Sequence, residues 1–460
     1  MTTVEPVLDV GWVDQVLLAG PDDEVCLRLG APVTRAALRR LVAERQARLE
    51  SAGLRRGGAV ALRLPPSLAY IANLLAAWGI GAQVALLDYR LTPYEVDRAF
   101  ESIAPQVVVA PGSPPAGGLR AFHEVTEVVS THPGRPAATG HAILQLSSGS
   151  TGPSKVIGRT AANLVAEVDR YTQIDGVPRQ GERIVVLASM VHVLGLVGGL
   201  LYGLHAHARL VVPDRLTVDN VLRALRDDPE PATVLGVPFH IELLASVDAP
   251  PPLPQFVRMT TGGELVRAAV VRRFTERYDA ILANMYGMTE VGVIATDLFG
   301  KHRPAVLPAP GIPVREEAGE LLVGLPASPY VGLLDPTRWV DGWLHTRDGG
   351  TVDPETGLVT VRGRLDSQVS VGGLKVDLTE VEHTLAGLPG VAAAVVLYDG
   401  GIEAYVMLSD PSAGDGLAAA LGERLAAYKR PRLLHVLDQL PRTATGKLVR
   451  DRTALRAAAK

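Results

Sequence analysis

A single cysteine, Cys26, in 460 residues excludes any disulfide within the chain. Basic runs are absent too, and with a formal net charge of −4 nothing electrostatic marks nucleic acid or an anionic membrane surface as a main partner. The start, Met-Thr-Thr-Val-Glu-Pro, carries an acid and lacks the basic and apolar regions of a secretory signal, so the expected location is cytoplasmic. No uninterrupted membrane-length apolar run occurs. The most apolar segment, Ile184 to Leu204, is broken by His192 and four glycines and reads as buried strand and helix, not as a membrane span. No internal repeat is evident. What the chain does have is length for about three domain equivalents and 47% hydrophobic residues, ample for large cores.

Apolar periodicity orders most of the chain into alternating helix and strand. Thr34 to Leu49 reads as a capped helix, Ala59 to Leu64 as a strand, Ser67 to Trp78 as a helix and Gln83 to Leu87 as a strand. Leu91-Thr-Pro starts another helix, and Gln106 to Ala110 is a buried strand. Residues 111 to 141, rich in Pro, Gly and Ala, read as loops. Beyond them come helix Thr160 to Ile174, strand Arg183 to Ala188, strand Arg209 to Val212, helix Val218 to Leu225 and strand Thr233 to Phe239. The fold class is α/β. Val361 to Val376 reads as two strand-like pieces joined by charged residues around Asp366, where a domain boundary falls. Helix Leu378 to Leu388, strands Val391 to Leu397 and Glu403 to Leu408, helix Gly416 to Ala427 and strand Arg432 to Val436 then make a small α+β unit.

The stretch Leu144-Gln-Leu-Ser-Ser-Gly-Ser-Thr-Gly-Pro-Ser-Lys155 combines three kinds of phosphate donor. Hydroxyls come from Ser147, Ser148, Ser150 and Thr151, close backbone approach from Gly149 and Gly152, and a positive charge from Lys155. A flexible Ser/Gly linker is the plain alternative. The loop is not the Gly-Lys-Ser/Thr motif of nucleotide hydrolases. Gly262 and Gly263, followed by Glu264, end a strand where backbone can lie flat against a planar ligand. In Asn284-Met-Tyr-Gly-Met-Thr-Glu290, Tyr286 offers a stacking face, Thr289 a hydroxyl for phosphate and Glu290 a carboxylate for Mg²⁺ beside it. Asp348 could accept from both ribose hydroxyls, although Asp-Gly alone is a hairpin turn. His192 and Phe239 lie near strand ends, as a pocket wall or as ordinary core. Thr445-Gly446 turns Lys447 outward on an exposed tip.

Together, Ser147 to Lys155, Tyr286 to Glu290, Asp348, Gly363-Arg-Leu-Asp366 and Gly446-Lys447 resemble, in order and spacing over nearly the whole chain, the adenylate-forming superfamily of acyl-CoA synthetases, peptide-synthetase adenylation domains and luciferases. The resemblance implies a large N-terminal domain of layered α/β subdomains (residues 1–365) and a small mobile C-terminal domain (366–460) hinged at Asp366. It implies that the Ser/Thr loop and Thr289 hold phosphates of ATP, that Glu290 helps bind Mg²⁺, and that Asp348 and Arg364 bind ribose. Tyr286 would flank adenine and Lys447 would serve adenylation. Gly262, Gly263 and Glu264 fall with the nucleotide residues; His192, Phe239, Asn284 and Gly287 fall with the acid pocket. Three positions depart from the usual pattern: Pro-Ser-Lys-Val ends the phosphate loop, Arg347 replaces the glycine before the ribose aspartate, and Ser370 replaces the lysine after the hinge.

The expected reaction is ATP- and Mg²⁺-dependent adenylation of a small-molecule carboxylic acid, leaving AMP after transfer of the acyl group to CoA or to the pantetheine of a carrier protein. Between Glu182 and Asp214 there is no acidic residue near His192. An α-ammonium buried there without its counter-ion would cost several kcal/mol, which favours an aryl or medium acyl acid lacking an α-amino group. Two other readings stay open: adenylation that serves amide formation or activates an oxyanion such as nitrite, and a non-catalytic nucleotide-binding regulator.

Overall fold

The structure, a computed structural model, describes residues 10–113, 122–147, 155–263, 266, 268–332, 335–365, 367–441 and 448–459. It divides into two compact units. The first comprises Met1–Tyr89, Ile103–Gln145 and Val156–Gly363; the second comprises Arg90–Ser102, Leu146–Lys155 and Arg364–Lys460.

Among the described residues, the largest sheet of the first unit has nine strands. From one edge they run Leu307–Pro308, Gly292–Asp297, Ile281–Met288, Phe256–Gly262, Ala232–Gly236, Arg183–Val186, Arg209–Val212, Val25–Leu29 and Ala31–Thr34. Its middle is parallel and its edges antiparallel. The four site-bearing strands, in chain order, are β1 (Arg183–Val186), β2 (Ala232–Gly236), β3 (Phe256–Gly262) and β4 (Ile281–Met288), side by side in the order β4-β3-β2-β1. A second sheet of seven strands includes Ala59–Leu62, Gln83–Leu86, Val107–Pro111, Ile143–Ser147 and Lys155–Arg159. One hydrophobic core, with Leu27, Val60, Trp78, Val84, Ile184, Leu200 and Val293, joins the two sheets.

Caps set the helix starts where the hydroxyls stand. Thr34 accepts from the Ala37 N–H, Ser67 from Tyr70, and Thr160 exchanges bonds with Asn163. Several expectations shift. Residues 111 to 141 contain the strand Glu127–Thr131, an edge strand whose mostly exposed residues erase the apolar signal. The strand expected to run to Phe239 stops at Gly236, because Pro238 occupies the first turn of helix Pro238–Ala245, where its missing N–H costs nothing. Leu194–Leu201 is a π-helix, a form that recurs at functional sites. Gly195 is obligatory there, since a Cβ would run into the Ser189 carbonyl.

The second unit has two small sheets, Gln368–Val371 with Leu374–Asp377, and Val391–Tyr398, Ile402–Leu408 and Leu433–Leu437. Helices Leu378–Ala386 and Leu417–Arg424 pack on a core of Val376, Val381, Leu385, Val396, Val406 and Leu421. Helix Pro93–Ile103 clusters with this unit. Its Glu95 accepts from the Thr92 N–H in a capping box and pairs with the buried Lys429 at 2.8 Å; Lys429 also meets Glu380 at 3.0 Å.

Candidate active site

Ligands of parallel α/β sheets bind beyond the carboxyl ends of the strands. Those ends gather residues that stand far apart in sequence. His192 follows β1, Phe239 follows β2, Gly262 and Gly263 close β3, and Asn284, Tyr286 and Gly287 lie on β4. Register places Thr261 opposite Asn284 and Gly262 opposite Met285. The segment before His192 is pinned from two sides. The Tyr70 hydroxyl donates to the Met190 carbonyl at 2.9 Å, and the Gln145 amide donates to the Val191 carbonyl at 2.6 Å. Phe239 is 42% exposed on the first turn of its helix, not packed as core.

The Tyr286 hydroxyl donates to Asp348 Oδ2 at 2.7 Å, which joins residues of two separate sequence motifs. Asp348 is buried and sits inside the ten-residue strand Trp343–Val352, not in a hairpin turn. Arg347 before it is left-handed at φ +61°, an unfavourable state for any residue with a Cβ. Glu320 holds it there by accepting the Arg347 N–H at 2.8 Å. Glu290 lies in the turn between β4 and strand Gly292–Asp297. Gly292 has φ +94°, and a Cβ on it would collide with the buried Glu167 carboxylate, which pairs with Arg159 and accepts the Val293 N–H.

Glu290 Oε1 accepts from the Tyr330 hydroxyl at 2.9 Å and lies 3.8 Å from Arg338 Nη2. Burial, with the carboxylate beside it, pushes the Tyr330 phenol well above its usual range, so it stays a donor. Neither Tyr330 nor Arg338 belongs to a motif legible in the sequence. Among the described residues no group of three or more His, Cys, Asp or Glu gathers to hold a metal. A lone hard carboxylate of this kind suits Mg²⁺, which takes few protein ligands and completes its shell with phosphate oxygens and water.

Of the remaining expected site residues, Lys155 opens strand Lys155–Arg159 and Arg364 ends strand Val359–Arg364; both cluster with the second unit. Ser148, Gly149, Ser150, Thr151, Gly152, Glu264, Asp366, Lys447 and the Ser147 side chain lie outside the described residues.

Residues 14–322 match the AMP-binding enzyme family and residues 380–447 match the AMP-binding enzyme C-terminal domain. The chain belongs to the AMP-binding enzyme family, the adenylate-forming superfamily that its motifs resemble. It is 30% identical over 475 aligned positions to a feruloyl-CoA synthase from Amycolatopsis, covering 92% of this chain and 93% of that one. It is 25% identical to a 2-succinylbenzoate–CoA ligase from Bacillus licheniformis, covering 96% and 98%. The fold matches o-succinylbenzoate CoA synthetase from Bacillus subtilis with a TM-score of 0.80 at 22% identity, over 98% of each chain. It also matches the amide bond synthetase from Marinactinospora thermotolerans with a TM-score of 0.79 at 24% identity, over 97% and 99%. Among the described residues, no helix is long and apolar enough to cross a membrane.

Proposed function

We propose that this protein adenylates a carboxylic acid lacking an α-amino group, aryl or medium acyl, using ATP and Mg²⁺, and passes the acyl group to the thiol of CoA or of a carrier-protein pantetheine. The observation that carries the reading is the Tyr286–Asp348 hydrogen bond with Glu290 four residues on, which brings a purine face on the nine-stranded sheet together with a ribose acceptor on the five-stranded sheet, beside a metal-capable carboxylate in the turn after β4. In the reaction a carboxylate oxygen attacks the α-phosphorus of ATP, its bond to the bridging oxygen breaks, and pyrophosphate leaves. A thiolate then attacks the acyl carbon and AMP leaves.

Two anions meet in the first step, so cations are needed where charge builds up. A Mg²⁺ ion held through Glu290 supplies part of that charge when bound. Lys155, Lys447 and the hydroxyls of the Ser/Thr loop are the chain's own candidates for the leaving pyrophosphate. Asp348, fixed by Tyr286, accepts from ribose, and the Tyr286 ring covers adenine. The acid pocket is assigned to the His192 segment, with Asn284, Gly287 and Phe239 at the neighbouring strand ends.

The substrate class is tested by pyrophosphate release across a panel that pairs each acid with its α-amino counterpart, cinnamate with phenylalanine for example. A preference of about a hundredfold in kcat/KM for the non-amino acid is expected from several kcal/mol of uncompensated charge burial. Equal or better use of the α-amino acids would refute the substrate assignment. Mass spectrometry of products with CoA, a carrier protein and simple amines identifies the acceptor.

A further inference from the structure

Tyr330 and Arg338 converge on Glu290 from a segment with no recognisable motif. The phenol is tied at both ends. It donates to Glu290 Oε1, and its oxygen receives Arg338 Nε at 3.2 Å and Nη2 at 3.1 Å. Arg338 is 5% exposed, so this is not a surface pair whose partners wander in solvent. The ring itself is placed by the sheet: strand Tyr330–Val331 pairs antiparallel with Lys155–Arg159, Tyr330 opposite Ile157, on the strand that follows the Ser/Gly loop.

Two consequences follow for Glu290. One oxygen is committed to the phenol, which fixes the plane of the carboxylate and the direction of the other oxygen. The guanidinium, 3.8 Å away, balances the negative charge and repels a bare cation. We infer that Tyr330 and Arg338 are positioning residues for Glu290, orienting its carboxylate and neutralising it, so that it accepts a divalent cation only in company with nucleotide phosphates. The inference rests on the nucleotide reading of the site. Small hard cations demand near-ideal geometry, and loss of a partner that orients a metal ligand typically costs about 10- to 100-fold in metal affinity.

The test titrates Mn²⁺ by the electron-paramagnetic resonance of the free ion, with and without a non-hydrolysable ATP analogue. It needs no turnover. Wild-type protein should bind Mn²⁺ at least about tenfold more weakly without the analogue than with it; equal binding without it overturns the charge-balancing role. Tyr330→Phe, which keeps the ring, should weaken Mn²⁺ binding to the analogue complex about tenfold while leaving metal-free analogue binding unchanged. A change of less than about twofold overturns the orienting role. Arg338→Gln should bind Mn²⁺ at least about fivefold more tightly than wild type in the absence of nucleotide, and no tightening overturns the neutralisation. Arg338→Met serves the same arm should the glutamine variant fail to fold; if both fail, the wild-type and Tyr330→Phe titrations decide. Glu290→Gln must abolish the effects of all three. If wild type releases no pyrophosphate with any acid while these titrations behave as described, the reaction assignment fails and the role of the two residues stands.

Discussion

His240 gives a quantitative test of how the end of β2 is built. It lies in the first turn of helix Pro238–Ala245, 5% exposed, and its Nδ1 accepts the Val237 N–H at 3.1 Å. Protonation would set an N–H against that N–H inside a dry site. Burial accordingly pushes the imidazole down from 6.5 to about 4. An unfolded chain gains its proton near pH 6.5 and the folded chain resists until about pH 4, so the stability tied to the neutral ring is full above pH 6.5 and is lost as pH falls through that window. At pH 5 the loss amounts to about 2 kcal/mol. His240→Gln keeps an acceptor for Val237 and cannot be protonated, so its stability should fall less than that of wild type between pH 7 and pH 5, by about that amount. Urea unfolding read from near-ultraviolet tyrosine dichroism is suitable, because the Tyr278 hydroxyl donates to Leu244 on the same helix and follows local unfolding. A gap below about 0.5 kcal/mol at pH 5 would show that the imidazole is hydrated or protonated in the native protein and would refute the reasoning.

Gly292→Ala should cost about 3 kcal/mol or more, from the left-handed backbone and the overlap with Glu167, and should lower pyrophosphate release by displacing the turn that carries Glu290; thermal unfolding with activity at matched folded fraction checks both. Lys429→Met should destabilise the second unit by about 3–5 kcal/mol, because it strands Glu95 and Glu380 without their shared cation. Burial alone would lower the lysine's affinity for its proton, but Glu380 first and then Tyr428 and Glu95 reverse this and raise it. Its stabilising effect is therefore full at neutral pH and is lost only as pH rises above the ordinary lysine range, so urea titrations of wild type and variant should give nearly the same difference at pH 7 and at pH 10.5, and a difference that collapses by pH 10.5 would refute the pairing.

Much of the fold was legible because its signals are local. The helix starts at Thr34, Ser67 and Thr160 needed only a hydroxyl before an apolar period, and the parallel core strands needed only short apolar runs. What escaped were elements whose burial comes from elsewhere. The strands Val25–Leu29 and Ala31–Thr34 form a hairpin at the sheet edge whose apolar run is broken by Arg28 and by the exposed Ala31 and Pro32, and Glu127–Thr131 shows mainly exposed residues. At the site, Tyr286, Glu290 and Asp348 stand in dense motifs, and the Tyr286–Asp348 bond joins two of them across 62 residues. Tyr330 and Arg338 could not be found this way. Their contact with Glu290 depends on how a strand of two residues pairs with Lys155–Arg159, a tertiary fact with no periodicity behind it.

The departure at Arg347 illustrates how a motif can lose a residue and keep its geometry. A glycine before Asp348 would adopt a left-handed backbone freely, whereas arginine does so at a cost of about 1 kcal/mol or more. The chain offsets this with Glu320. Its Oε1 accepts the Arg347 N–H at 2.8 Å, while Oε2 faces His345 at 3.0 Å and the Arg347 guanidinium at 3.7 Å; Arg347 also reaches Thr337 at 3.0 Å. The left-handed irregularity within the strand that aims the next side chain is therefore retained, and Asp348 still meets the Tyr286 hydroxyl at 2.7 Å. Thr346 supports the same bulge from the other side, donating its hydroxyl to the Leu321 carbonyl while accepting the Asp348 N–H at 3.0 Å. What the site requires at position 347 is a conformation, and the five-stranded sheet around Glu320 supplies it by hydrogen bonding where a glycine would supply it by having no side chain.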